Sequence, residues 1–237
     1  TQEVYLSNMK WRQFDIKGGL RNEIFDIRNI KSSQIIGDYD FDQLTNDFVS
    51  MFLDARTDTF DDGYFPSKGI MAGLSYAWTL GGFPHRFNNF HSLEADVRGV
   101  ISFKDDVCLT PYFSTRMLFG KEIPVAYFNA IGGFVPGRYV EQQIPFVGIT
   151  NLVAMKNILT LYGAELRQEI MNNHFVSVSL NYVKDSDRLK DYFKGKGYFG
   201  ACMGYSYDTI FGPLRANIHW SNLTNQLGLY TSAGYNF

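Results

Sequence analysis

A period of two persists along most of this chain and limits the folds open to it. Between 93 and 103, Leu93, Ala95, Val97, Gly99, Ile101 and Phe103 fall on one face, and Glu94, Asp96, Arg98, Val100 and Ser102 on the other. The same alternation recurs at 70–80, 107–119, 158–168, 175–183, 198–208, 214–221 and 227–237, with weaker versions at 11–25 and 47–58. Helical spacing is nearly absent. The chain therefore reads as all-β with about ten antiparallel strands, several of them longer than a globular sheet requires.

Charge placement narrows the class. In the eight stronger segments the charged residues of the strand body share the polar face, and the other face carries aliphatics with Tyr, Trp or Phe near the strand ends. A soluble barrel or sandwich also alternates, with its apolar face inward. A membrane barrel turns that face outward to lipid and keeps polar and small residues inside. Alternation alone does not say which face is outside, and the connections supply the second clue. Those near 59–69, 104–106, 169–174 and 209–213 are short or moderate, whereas those near 26–46, 81–92, 120–157 and 184–197 are longer, with 222–226 the brief exception. Short turns on one side and long loops on the other describe an outer-membrane barrel. An even strand count then puts both ends of the chain on the short-turn side. No run of about 18 apolar residues exists, so no transmembrane helix is expected. A balance of 22 basic against 24 acidic residues argues against nucleic acid. Thr1–Lys10 has neither the basic start nor the apolar core of a signal peptide, so the chain is expected to follow a removed leader or to begin inside something larger.

The last strand ends on Phe237, with Tyr235, Ala233, Thr231 and Leu229 on its face. A terminal aromatic residue there resembles the signal by which bacterial outer-membrane barrels are recognised by the barrel-assembly machinery. The long connection 120–157 carries Gly132-Gly133-Phe134-Val135-Pro136-Gly137-Arg138-Tyr139 and then Gln142-Gln143-Ile144-Pro145-Phe146-Val147-Gly148. It is too apolar to be bathed in water. It resembles the inward-folded loop of the BamA/two-partner-secretion superfamily, whose members are sixteen-stranded barrels within the known outer-membrane range. The Gly-Arg-Tyr order differs from that superfamily's Arg-Gly-Tyr/Phe tip, and with the Gln-Gln-Ile-Pro-Phe continuation it resembles the barrels fused to patatin-like phospholipase domains in Bacteroidota. The stretches Asp61–Gly69, Tyr205–Asp208, Gly212–Leu214 and His219–Asn222 fit the same family.

The resemblance implies that residues 1–237 are the C-terminal portion of such a barrel and that an N-terminal remainder holds any upstream domain. It implies outer-membrane lipid and lipopolysaccharide as surroundings, and a loop clamp in which Arg138, beside Tyr139, is held by Glu165, with Asn181 standing where the family's second acid would be. The alternative for Arg138 is a solvated loop residue, and for Glu165 an ordinary lumen-lining charge. Three functional classes follow: a module anchoring or translocating a patatin-like domain, a transport or assembly barrel, and a soluble all-β binding protein.

No catalytic residue is expected in this chain. A patatin hydrolase needs Gly-x-Ser-x-Gly, and Gly73-Leu-Ser75-Tyr-Ala77 and Gly204-Tyr-Ser206-Tyr-Asp208 both lack the final glycine. Gly195-Lys-Gly197-Tyr-Phe-Gly200 spells a dinucleotide fingerprint but leads into a strand, where the fingerprint must open a helix. Asp58, Asp61 and Asp62 lack the spacing of a calcium loop and read as a turn with aspartate-to-amide bonds. Cys108 and Cys202 form no disulfide framework, His219 is read as a hydrogen-bonded lumen residue, and neither cofactor nor metal is expected. Lys184, Arg188, Lys190, Lys194 and Lys196, interleaved with acids, read as a solvated loop or a contact for lipopolysaccharide phosphates.

Overall fold

A computed structural model describes residues 1–27, 44–83, 88–103, 106–134 and 140–234. The first six strands are β1 (Gln2–Trp11), β2 (Phe14–Ile27), β3 (Leu44–Asp58), β4 (Gly69–Phe83), β5 (Phe90–Ser102) and β6 (Val107–Gly120). Inside the long connection that follows lie three two-residue strands, β7 (Ala130–Ile131), β8 (Gln143–Ile144) and β9 (Val153–Ala154), which make a small sheet of their own. The chain then continues with β10 (Ile158–Met171), β11 (His174–Ser186), β12 (Gly197–Tyr207), β13 (Leu214–Ser221) and β14 (Gln226–Ala233). Among the described residues, the eleven long strands form one antiparallel sheet in chain order.

The count of ten is corrected to eleven. The added strand is Gln2–Trp11, which pairs with β2 through a bulge between Leu6 and Met9 that breaks its alternation. An odd number of antiparallel strands makes β1 and β14 run the same way, so Gln2 and Ala233 lie at opposite ends of the sheet. The expectation that both ends share the short-turn side fails for that reason.

Burial decides which face is outside. On neighbouring positions of β11, β12 and β13, Leu180, Met203 and Ile218 are 60%, 66% and 59% exposed, while Asn181, Cys202 and His219 are 2%, 8% and 5% exposed. The outward face is a continuous apolar surface that also includes Val49, Leu53, Leu74, Val97, Leu166 and Leu229. A soluble monomer rarely exposes so large a patch. The inward face holds Glu23, Asp54, Arg116 and Arg167, all buried. The arrangement inverts that of a soluble protein, as a lipid-facing barrel wall does. Short turns are built from residues that tolerate left-handed backbone. Asn173, at φ 65°, closes the two-residue turn between β10 and β11.

Candidate functional site in the lumen

The connection between β6 and β10 occupies the concave side of the sheet. Ile131, Ile144, Phe146 and Ile149 pack with the lumen-facing Leu159, Leu161 and Val183 into a buried cluster. Its fit to the wall depends on glycines at two close approaches. A Cβ on Gly200 of β12 would collide with the Val147 carbonyl oxygen, and one on Gly148 (φ 115°) would sit 2.6 Å from that of Trp220. The connection thus lies against β12 and β13 on one flank. On the other it reaches β2, β3 and β5, where Tyr127 meets Phe25, Phe48 and Phe90 edge-on with ring centroids 5.2, 5.3 and 4.8 Å away.

A polar latch fixes the first limb. The Tyr127 hydroxyl donates to Glu23 Oε2 across the lumen at 2.6 Å. Arg116 Nη1, from the inner face of β6, donates to the Tyr127 carbonyl at 2.9 Å and to Asn129 Oδ1 at 2.6 Å. Asn129 Nδ2 donates in turn to the Lys156 and Asn157 carbonyls at 2.7 and 2.9 Å, which ties the start of the connection to its end. Arg116 also lies 3.8 Å from Glu94 on β5. A buried guanidinium held by neutral acceptors and one looser carboxylate avoids the several-kcal/mol cost of an unpaired buried charge.

Beneath this limb a cavity of about 860 Å³ faces β2 to β6, lined by Asp54, Glu94, Asp96, Arg56, Arg98 and Tyr112 among others. Gln142, Gln143, Ile144 and Pro145 of the connection form part of its wall.

Of the residues singled out in the sequence, Glu165 and Asn181 both face the lumen. Glu165 Oε2 accepts the Ser179 hydroxyl at 3.2 Å, and Asn181 Oδ1 accepts the Tyr112 hydroxyl at 2.8 Å. Asn181 Nδ2 has no hydrogen-bond partner among the described residues. Arg138, Tyr139, Tyr235 and Phe237 lie outside the described residues. The hydrogen-bonded reading of His219 is corrected: both ring nitrogens are buried without a partner among the described residues. The ring instead packs against Phe134 at 5.3 Å and over Gly228, where a Cβ would collide with Cε1, so apolar contact fills its surroundings. Asp61 and Asp62 do bond to nearby amides. In the 184–197 loop region, Lys156 pairs with Asp187 at 3.2 Å and Lys184 donates to the Phe193 carbonyl at 3.1 Å. The pairing with Asp187 raises the Lys156 ammonium above its ordinary value.

Sequence reasoning missed the latch. The signal was present in part: Arg116 is a charge on the polar face of its strand, at the root of a long connection whose stretch 123–137 carries no charge. Nothing in the spelling of 120–130 distinguishes Asn129 or Tyr127 as its partners.

A sheet that turns apolar residues outward and encloses charge belongs in a bilayer, where a barrel is the strand-built solution because its backbone groups are paired between strands. The chain belongs to the OMP85 superfamily, a family of outer-membrane barrels, which it matches over residues 1–237. No curated protein sequence matches it. Among solved structures its fold is similar to BamA from Haemophilus ducreyi lacking POTRA domains 1–3, with a TM-score of 0.70 at 15% identity. The match covers 97% of this chain and 53% of that one, so the chain spans about half the length of that relative.

Proposed function

We propose that this chain is the C-terminal, membrane-embedded portion of a larger outer-membrane protein, and that its lumen is a passage governed by the connection 120–157. The observation that carries this reading is the pairing of a charged cavity of about 860 Å³ with a connection packed beside it and latched through Arg116, Asn129 and Tyr127. An apolar filling throughout would suit an anchor alone, whereas a charged cavity suits transport or assembly of a polar cargo.

A finer proposal adds an upstream patatin-like domain that the barrel anchors or translocates. Its support is the resemblance carried by Gly137-Arg138-Tyr139 and Gln142–Phe146. The clamp between Arg138 and Glu165 belongs to the same proposal, supported by the inward position of Glu165, which among the described residues accepts the Ser179 hydroxyl. A charge-swapped pair that fails to restore folding lost in each single variant would remove the clamp. Tyr235 and Phe237 are proposed as the assembly signal, and lipid with lipopolysaccharide as the surroundings.

The test is the intact mass and N-terminal sequence of the native protein extracted from outer membrane in detergent. A mass well above 27.1 kDa, with Gly-x-Ser-x-Gly upstream, supports the patatin reading. A mass of 27.1 kDa removes it and leaves a transport or assembly barrel.

A further inference from the structure

The connection 59–68, between β3 and β4, lies at the short-turn end of the lumen. Its shape is set by two aspartates. Asp62 Oδ1 accepts the Tyr64 and Phe65 amides, each at 2.7 Å. Asp61 accepts the Ser67 amide at 2.9 Å, the Ser67 hydroxyl at 2.5 Å and the Lys68 amide at 3.2 Å. Pro66 is buried and Phe65 half-buried. The Phe65 ring stacks on Phe175 of β11, centroids 4.2 Å apart and planes 10° from parallel. Three strands, β5, β6 and β10, separate β4 from β11 in the sheet, so this contact is made across the lumen. Arg167 of β10 donates to the Pro66 carbonyl at 2.6 Å, and its guanidinium lies 5.6 and 5.5 Å from the Phe65 and Phe175 rings. Arg215, on β13, lies 5.8 and 5.6 Å from Tyr64 and Phe65.

A link between adjacent strands needs only two to five residues or so, and a plain link would not reach β11 or β13. We propose that the connection 59–68 is a plug that closes the short-turn mouth of the lumen, clasped by Arg167 and Arg215, and that its release is a gating step separate from the long connection. The clasp consists of ring stacking, cation–π contacts and one carbonyl bond. Among the described residues neither arginine has a carboxylate at ion-pair distance. Such a set of individually weak contacts can come away together. The inference rests on the lumen being a passage, and the test separates the two.

The plug has a built-in reporter. The Ser102 hydroxyl bonds to the Ser67 carbonyl, and the same oxygen is 3.5 Å from the Cys108 sulfur. Cys202, also buried, lies on β12 near Gly200, where the long connection packs. The experiment treats the full chain in detergent with a charged, membrane-impermeant maleimide and reads each cysteine by peptide mass. Phe65→Ala is expected to speed Cys108 labelling about tenfold, as local opening exposes it, with Cys202 unchanged. Phe65→Tyr should return the slow rate. Unchanged Cys108 labelling in a variant of native strand content overturns the plug. So does equal acceleration at both cysteines, because the loosening is then global. Absence of ion conductance in every variant, with the Cys108 response intact, would remove the passage and leave the plug as a purely structural closure.

Discussion

Across β10 to β13 the lumen face meets packed protein, whereas across β2 to β5 much of it meets a charged cavity. Both walls are made of strands with the same alternation. On the first, Gly200 admits a carbonyl of the connection and Leu159, Leu161 and Val183 complete an apolar cluster. On the second, Asp54, Glu94 and Asp96 face Lys17, Arg56 and Arg98 around the cavity. Alternation therefore specifies a barrel wall, while what fills the barrel is specified by the size and charge of every second residue.

The largest expected contrast comes from truncating one aromatic on each side. Phe146 is 0% exposed within the filled half, so Phe146→Ala should cost about 3–5 kcal/mol in reversible urea unfolding from lipid. Phe52→Ala, at a ring that borders the cavity, should cost less under the same assay, because that ring abuts empty space on one side. Equal losses would mean that the two halves are packed alike.

The latch that joins the halves comes next. Asn129→Ala removes an acceptor of Arg116 and the donor to three carbonyls, with an expected cost of about 1–3 kcal/mol and faster proteolysis within 121–157. Glycine substitutions probe the contrast between the walls again, one on each. Gly200→Ala drives a methyl into the Val147 carbonyl and should cost about 1–3 kcal/mol. At Gly73 the obstructing atom is the Asp96 carboxylate oxygen, 2.5 Å from where a Cβ would stand, and it can swing into the cavity. Gly73→Ala should therefore change stability by about 0.5 kcal/mol or less.

The smallest effect lies outside the membrane. The bond from the Ser67 hydroxyl, with the Ser67 and Lys68 amides, holds the Asp61 carboxyl well below the usual carboxylate range. A carboxyl lowered in the folded state stabilises above its unfolded pKa, and that contribution is lost as pH falls toward the folded value. The difference in urea midpoint between the chain and Asp61→Asn should be constant above about pH 5 and shrink below about pH 4. A constant difference down to lower pH would contradict the Asp61 geometry.

Most of the wall was legible because a lipid-facing strand must repeat its apolar residue at every second position, as Leu214, Ala216, Ile218 and Trp220 do. β1 was missed because its bulge shifts the register between Leu6 and Met9. The inward position of Glu165 followed from parity alone. The latch did not, because Tyr127 reaches Glu23 across 104 residues of sequence, and no local pattern encodes a contact across a lumen. The hydrogen-bonding expectation for His219 failed because parity gives the direction of a side chain and not its neighbours.

The most direct test of a barrel with lipid outside and one filled half uses spin labels placed one at a time at Leu74, Ser75 and Leu159 in a Cys108→Ser, Cys202→Ser background in bilayers. Collision with oxygen reports lipid, and collision with a water-soluble nickel chelate reports solvent. Oxygen access is expected at 74, nickel access at 75, and little access to either at 159. Nickel access at 74 with oxygen excluded, or equal access at 75 and 159, would contradict that arrangement.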